Sequence, residues 1–169
     1  MARNVGQSVT RVDARAKVTG KAKYPADFTM PDMLHAKTLF AGRPHARVLS
    51  IDTSKAEAVD GVVAIFTAKD VPVNEYGLQT PDQPVLCGPG SPKPGTDMVR
   101  FVGDQVAFVV AETERAATRA RDLIRVEFED LPVVTDAFEA LDPDAPQLHP
   151  HRVHSEFHPE LNDMEGNYV

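Results

Sequence analysis

The sequence has little cysteine and no long apolar run, and each shortage excludes a class of protein. Its single cysteine, Cys87, rules out an internal disulfide and cannot alone supply the four thiolates of an iron–sulfur cluster. No stretch approaches the roughly 18 apolar residues of a membrane-spanning helix. The first residues, Met1 to Asn4, also lack the apolar segment of a signal peptide. We therefore expect a cytoplasmic chain with no membrane partner.

Charge is distributed unevenly along the 169 residues. The net charge is −7, yet residues 1–49 carry nine Lys and Arg against three Asp and Glu, and residues 50–169 carry nine against twenty-two. An acidic body argues against nucleic acid as a partner. The basic first third could face an acidic surface, or it could be a scattered, solvated arm.

A strand–helix–strand pattern is the strongest structural signal. The six consecutive apolar residues Val106–Ala111 predict a strand that is buried on both faces and central in a sheet. Thr113 is the predicted N-cap of a helix over 114–124. The helix has one apolar face, made of Ala116, Ala117, Ala120, Leu123 and Ile124. Arg125–Glu129 then alternates with period two, which indicates a half-exposed strand.

The first half of the chain predicts further elements. The apolar run Val62–Phe66 predicts a second central strand. Leu34–Phe40 and Ala46–Asp52 also read as strands, and we expect these two to pair with each other. Capping-box spacing occurs twice: Ser54 with Glu57 at the start of a short helix, and Asp136 with Glu139.

The segment 76–97 is rich in proline and glycine. Nine of its 22 residues are Pro or Gly, so it cannot form a regular helix or a central strand. Its prolines remove the N–H donors that would cradle a phosphate, and no Gly-Lys-Ser/Thr follows, which argues against nucleotide binding. A loop of this length is either mobile or docked against something. Cys87 within it is either a small buried hydrophobe or a reactive thiol.

Four histidines near the end of the chain are candidate metal ligands: His149, His151, His154 and His158. Together with Glu156 they could bind a transition metal. Pro150 and Pro159 argue against a helix that would align them, so we favour a solvated linker. His35 and His45 have no partners at ligand spacing.

Three ordered blocks of sequence resemble the molybdenum hydroxylases, the family of xanthine dehydrogenase, aldehyde oxidase and carbon monoxide dehydrogenase. The first block is 11–20 with Tyr24 and Asp27, the second runs from Pro44 to Ala64, and the third runs from Phe101 to Asp136. In that family such a segment is the α/β-hammerhead domain at the start of the large, molybdopterin-binding subunit.

The pattern of elements predicts an α+β fold with a mixed sheet of about four to six strands and helix 114–124 packed on one face. Residues 1–10 have no apolar periodicity, so we expect a loose N-terminal arm there. The resemblance adds that residues 11–141, which contain the 76–97 loop, form an α/β-hammerhead domain, and that 142–169 is an extended connector toward further molybdopterin-binding domains. Without the resemblance, the pattern of strands and helices would also permit a ferredoxin-like or small doubly wound domain.

The resemblance also implies a function. The parent enzyme would add a water-derived oxygen to an aldehyde or heteroaromatic carbon, using molybdopterin, 2Fe–2S clusters and FAD. This chain would be a structural domain without catalytic or cofactor-binding residues. Its partners would be the remaining molybdopterin-binding domains, an iron–sulfur subunit and an FAD subunit.

The expected contact regions are the 76–97 loop and the Arg11–Lys23 arm. Their apolar residues lack a periodic element to bury them: Val18, Tyr24, Val85 and Leu86. The isolated chain could then associate with itself. The alternative is a stand-alone binding or regulatory module that holds metal through its histidines.

Overall fold

The computed structural model describes residues 5–77, 81 and 83–149. The chain forms two compact units, which divide between Met33 and Leu34. The first unit contains a short helix, α1 (Ala14–Val18), and a 3₁₀ turn at Pro25–Asp27. None of the described residues up to Met33 is buried. This unit therefore holds its local turns without a hydrophobic core of its own.

The described residues of the second unit, 34–77, 81 and 83–149, contain six strands and two α-helices. The strands are β1 (His35–Phe40), β2 (Ala46–Asp52), β3 (Val62–Phe66), β4 (Met98–Val99), β5 (Gln105–Ala111) and β6 (Arg125–Asp130). The helices are α2 (Ser54–Glu57) and α3 (Glu114–Leu123), with 3₁₀ turns at Ala68–Asp70 and Glu139–Leu141. No helix in the described part of the chain is long and apolar enough to cross a membrane.

The first sheet has the order β1-β5-β3, and both pairings are antiparallel. The position of β5 at its centre confirms the prediction for Val106–Ala111. Helix α3 packs on one face, where Ala107, Val109 and Ala111 are completely buried. On the other face Phe108 and Val110 keep partial exposure, so the prediction that this strand is buried on both faces was wrong. The reason is that the described residues place a covering helix on one side of this sheet only.

The second sheet has the order β4-β2-β6 and is also antiparallel. Its core contains Ala46 and Val48 of β2, Val99 of β4, and Cys87 and Val106. The α+β class is therefore confirmed, and six strands form as expected. They are divided between two antiparallel sheets, however, where the sequence predicted one mixed sheet.

Two predicted strand relationships were wrong. Strand β3 lies at an edge of its sheet and is not central. Strands β1 and β2 do not pair, because the chain after β1 continues along the segment before β5: Ala41 N–H donates to Asp104 O at 2.8 Å, and Gly42 N–H donates to Val102 O at 3.1 Å. Strand β2 belongs to the second sheet, where it pairs with β6 on one side and with β4 on the other.

The helix ends follow the predicted capping chemistry closely. Thr113 Oγ1 accepts a hydrogen bond from Ala116 N–H at 3.1 Å, which confirms it as the N-cap of α3. The cap of α2 is Thr53 and not Ser54, one residue earlier than predicted. Its hydroxyl donates to Glu57 Oε1 at 2.6 Å. Asp136 Oδ1 accepts from the N–H groups of Phe138 and Glu139 at 2.7 and 3.1 Å.

Candidate docking site

A buried amide side chain, just before the 76–97 loop in sequence, attaches the loop to the rest of the second unit. Asn74 is only 2% exposed. Its Nδ2 donates to Leu86 O at 2.8 Å, and its Oδ1 accepts from Leu86 N–H at 3.0 Å. Between these points the main chains of Tyr76 and Gln83 exchange two hydrogen bonds of 2.7 and 3.1 Å. Because the Asn74 side chain satisfies both main-chain polar groups of the buried Leu86, it fixes Leu86 to the chain just before the loop.

The second half of the loop is part of the core. Leu86 and Cys87 are 4% and 1% exposed, and Cys87 N–H donates to Gln105 O at 2.6 Å. The prediction that Leu86 has nothing to bury it was therefore wrong. Burial, reinforced by the nearby Asp104 carboxylate, raises the pKa of the Cys87 thiol to about 12. Of the two interpretations of Cys87, the structure supports the small buried hydrophobe.

Gly88 shows how closely the loop approaches the body. Its N–H donates to Thr96 O at 2.8 Å. A Cβ at this position would lie 2.8 Å from Ile51 Cδ1 and 3.3 Å from Ala68 Cβ. Glycine therefore allows the loop to lie against β2 and the 3₁₀ turn that follows β3.

The turn before β5 is organised by Arg100 and Asp104, two residues whose roles the sequence analysis missed. The buried Asp104 carboxylate accepts from the N–H groups of Arg100 and Phe101 at 2.6 and 3.2 Å. Arg100 Nε donates to Leu148 O at 2.6 Å, which attaches the described end of the chain to this turn. A cleft of about 160 Å³ lies beside these groups, lined by Gln83, Pro84, Arg100, Phe101, Asp104 and His149.

Several apolar side chains on and beside the loop point outward. Val73 is 67% exposed, Tyr76 58% and Val85 38%. Phe101, which lines the same cleft as Pro84, is 52% exposed. The loop therefore combines a satisfied, buried inner side with an apolar outer side, which is the pattern of a preorganised contact surface.

The first unit exposes apolar residues among basic ones. Val18 is 83% exposed and Tyr24 51%, as predicted. Asp13 forms ion pairs with Arg11 and with Lys17, the latter at 2.8 Å. Lys17 first, and then Arg11, lowers the pKa of the Asp13 carboxyl.

Only one of the four candidate metal ligands lies within the described residues. His149 lines the cleft beside Arg100, while His151, His154 and His158 lie outside the described residues. In the described part of the chain, no three His, Cys, Asp or Glu side chains are grouped to hold a metal ion. His45 is buried, with Nδ1 donating to Pro132 O at 2.6 Å, so its role there is structural. Metal binding by the histidines remains a prediction.

Two antiparallel three-stranded sheets, with α3 on one face of the first, define an α+β domain of the hammerhead type. Residues 19–132 match the aldehyde oxidase and xanthine dehydrogenase a/b hammerhead domain. The chain therefore belongs to that family, the molybdenum hydroxylases, and supplies the hammerhead domain of its large subunit. The family predicted from the three sequence blocks is confirmed.

Named relatives support the assignment. A probable xanthine dehydrogenase component of Bacillus subtilis is 47% identical over 143 residues, which are 84% of this chain and 18% of that protein. The nicotinate dehydrogenase large molybdopterin subunit of Eubacterium barkeri is 36% identical over 97% of this chain and 37% of its own length. Among solved structures, reconstituted CO dehydrogenase from Oligotropha carboxidovorans has a TM-score of 0.72 at 37% identity, over 86% of this chain and 18% of that one. The chain thus spans well under half the length of these relatives.

Proposed function

We propose that this chain is a structural, non-catalytic domain that docks the large subunit of a molybdenum hydroxylase against its iron–sulfur and flavin partners. The observation that carries the proposal is the 76–97 loop. Asn74 and the main chain of Cys87 fix its inner side, while Tyr76 and Val85 are exposed on its outer side. A surface segment anchored along its inner side, as residues 83–88 are, loses less entropy when it binds a partner and is therefore suited to docking.

The Arg11–Lys23 arm is the second proposed contact. It exposes Val18, and the exposed Tyr24 follows it directly. The cations Arg15, Lys17 and Lys21 lie nearby in sequence, and no residue of the arm is buried. Apolar groups flanked by cations suit a partner surface that is apolar with acidic edges. The proposed setting is a cytoplasmic, multi-subunit enzyme. In isolation the same surfaces would favour weak self-association.

The proposed parent enzyme oxidises an aldehyde or heteroaromatic carbon with a water-derived oxygen and uses molybdopterin, 2Fe–2S clusters and FAD. The described residues of this chain do not fit those groups. Cys87 is a buried thiol whose pKa is raised, which disfavours the thiolate that a cluster needs. The Gly88 N–H is already bonded to Thr96 O and is not free for a pterin phosphate. We therefore assign no reaction step to this chain.

Amide hydrogen exchange tests the docking proposal. Exchange is measured in the chain alone and after addition of the iron–sulfur and flavin subunits. We expect amides of segments 76–97 and 11–23 to slow by about tenfold or more when the partners bind. The charged strand β6 serves as the internal reference. Equal exchange in 76–97 with and without partners would contradict docking by the loop.

Asn74→Ala provides a variant that releases the loop. The substitution leaves the buried Leu86 N–H and C=O without partners, so partner affinity should fall because the loop must be ordered on binding. Gln105→Ala is the matched control, since it removes an exposed amide side chain next to the same loop. Substrate oxidation by the purified chain alone would contradict the non-catalytic assignment.

A further inference from the structure

The β1-β5-β3 sheet has a second apolar face, opposite α3. The register pairs Val110 of β5 with Ala36 and Ala64, and Phe108 with Thr38 and Phe66. Directly opposed residues on antiparallel strands share a face. The open face, as we name it, therefore consists of two rows that cross all three strands: Ala36, Val110 and Ala64, then Thr38, Phe108 and Phe66.

The open face is apolar and partly solvent-exposed. Phe66 is 42% exposed and Ala36 is also exposed, while the other four residues are partly buried. None of the six carries a charge. Their neighbours on the same central strand, Ala107, Val109 and Ala111, are completely buried under α3. Among the described residues, strand β5 thus has one face that is completely buried and one that is partly exposed.

The open face begins where the second core ends. Val106, the extra residue where the register of β5 shifts against β1, is fully buried among Ala46, Val48 and Val99. The partly exposed rows begin two residues further along β5, at Phe108. The open face therefore starts close to a hydrophobic core along the same strand, which favours an apolar occupant.

The outer strands indicate how an occupant would bind. In β3 the register shifts between Val62 and Ala64, where Val63 is the extra residue. This bulge interrupts the outer hydrogen-bonding edge of β3 and disfavours addition of another strand there. An occupant that packs flat on the open face, as α3 does on the opposite face, needs no free strand edge.

The size of the open face selects the kind of occupant. Strands lie about 4.8 Å apart and residues of one face about 6.8 Å apart along a strand, so two rows of three present on the order of 200 Å². A stable complex between separate chains buries about 800 Å² per partner. The open face alone is too small for a free partner or a second copy. A segment of the same polypeptide needs less contact area because tethering raises its effective concentration.

We propose that the open face is covered by an uncharged, apolar segment of the large-subunit polypeptide that lies outside these 169 residues. The Bacillus subtilis relative has the length to supply it, since more than four-fifths of that protein lies outside the match. The inference rests on one part of the proposed function, namely that this chain works as a domain of a long large subunit. It does not depend on docking by the 76–97 loop.

Side-chain footprinting with a photogenerated carbene tests the proposal. Labelling of Phe66 and Phe108 is compared in the dilute 169-residue chain and in the large subunit purified without its iron–sulfur and flavin subunits. We expect both residues to be labelled in the chain alone and to lose most of that labelling in the large subunit. Val109, on the covered face, should stay unlabelled in both samples.

A pair of variants on β3 provides a second readout. Phe66→Glu should lower the melting temperature of the large subunit but change that of the isolated chain by less than about 4 °C, since 42% of the side chain is exposed there. Val63→Glu is the matched control, because Val63 is 54% exposed and sits at the bulge outside the two rows. It should change neither melting temperature.

Four outcomes would overturn the proposal. Phe66 could be labelled equally in the chain and in the large subunit, or it could be protected already in the dilute chain. Protection that grows with the concentration of the isolated chain would identify a second copy as the occupant. Protection that needs the iron–sulfur and flavin subunits would assign the open face to them. Hydrogen exchange of the 76–97 loop is a separate measurement, so failure of loop docking is distinguishable from each of these results.

Discussion

The two faces of the β1-β5-β3 sheet have similar polarity but different surroundings. Toward α3, Ala107, Val109 and Ala111 meet the small side chains Ala116, Ala117 and Ala120, and all are buried. On the opposite side the larger Phe66 and Phe108 keep contact with solvent. Alternation along β5 determines which residues share a face, whereas the presence of a covering element determines whether that face is core.

Thiol labelling should show the largest difference between covered and open sites. Cys87 packs under the second sheet beside Val106, and the pKa of its thiol is raised to about 12. Thr38→Cys would place a thiol on the open face. At pH 8 it should react with iodoacetamide about 10³-fold faster than Cys87 does in the folded chain, because the thiolate is the reactive form. Similar rates in the folded chain would show that the second sheet does not protect Cys87.

The pH dependence of stability should reveal the same buried thiol. The pKa of Cys87 is about 12 in the folded chain against an ordinary value of 9.0, so the unfolded chain releases this proton first. The stabilising contribution is complete below pH 9 and is lost as the pH rises from 9 toward 12. In this window the thiol should lower the free energy of unfolding by at most about 1.4 kcal/mol per pH unit. Urea titrations of the wild type and Cys87→Ala measure it, and identical slopes would contradict burial.

Substitutions of two adjacent valines on β5 compare the contributions of the two faces to stability directly. Val109→Ala should lower the free energy of unfolding by about 2 kcal/mol, because it leaves a cavity under α3. Val110→Ala is its matched control on the open face and should cost less than about 1 kcal/mol, since solvent can fill the space. Urea denaturation of both variants measures the difference. Equal losses would mean that both faces are covered in the isolated chain.

Removing the N-cap of α3 tests how much the helix that covers one face of the first sheet contributes to stability. Thr113→Ala removes the hydroxyl that accepts from Ala116 N–H and should cost about 1 kcal/mol. Thr118→Ala, within the same helix, should leave stability unchanged or raise it slightly, because alanine is the better helix former. Thermal unfolding followed by circular dichroism measures both. A larger loss for Thr118→Ala would point to packing of that side chain in place of capping.

The smallest effect is expected on the open face itself. Phe66→Ser in the isolated chain should change the free energy of unfolding by less than about 1 kcal/mol, because 42% of the side chain is already in contact with solvent. Urea denaturation checks this value. A loss comparable to that of Val109→Ala would indicate that the 169 residues already cover the open face.

The candidate docking site was only partly predictable. Its location followed from the proline and glycine content of 76–97, which excludes regular structure. The burial of Leu86 did not follow, because it depends on Asn74, twelve residues earlier, reaching across to its main chain. The bond from Arg100 to Leu148 joins residues 48 apart and has no local signature.

The sequence by itself determined the elements that depend on neighbouring residues. A run of six apolar residues located β5, helical spacing located α3, and period-two alternation located β6. The side-chain chemistry of Thr113 located the start of α3. These features need only a few consecutive residues, so they can be read from the chain directly.

Only the tertiary structure decided which strands pair and which apolar faces are covered. Strand β2 pairs with β6 across 77 residues, as the Ser50 to Glu127 hydrogen bond of 2.7 Å illustrates. The residues of β3 are as uniformly apolar as those of β5, yet β3 lies at the edge of the first sheet and β5 at its centre. An apolar run predicts that a strand will be buried, but it does not predict which element covers it. That choice depends on contacts between distant parts of the chain.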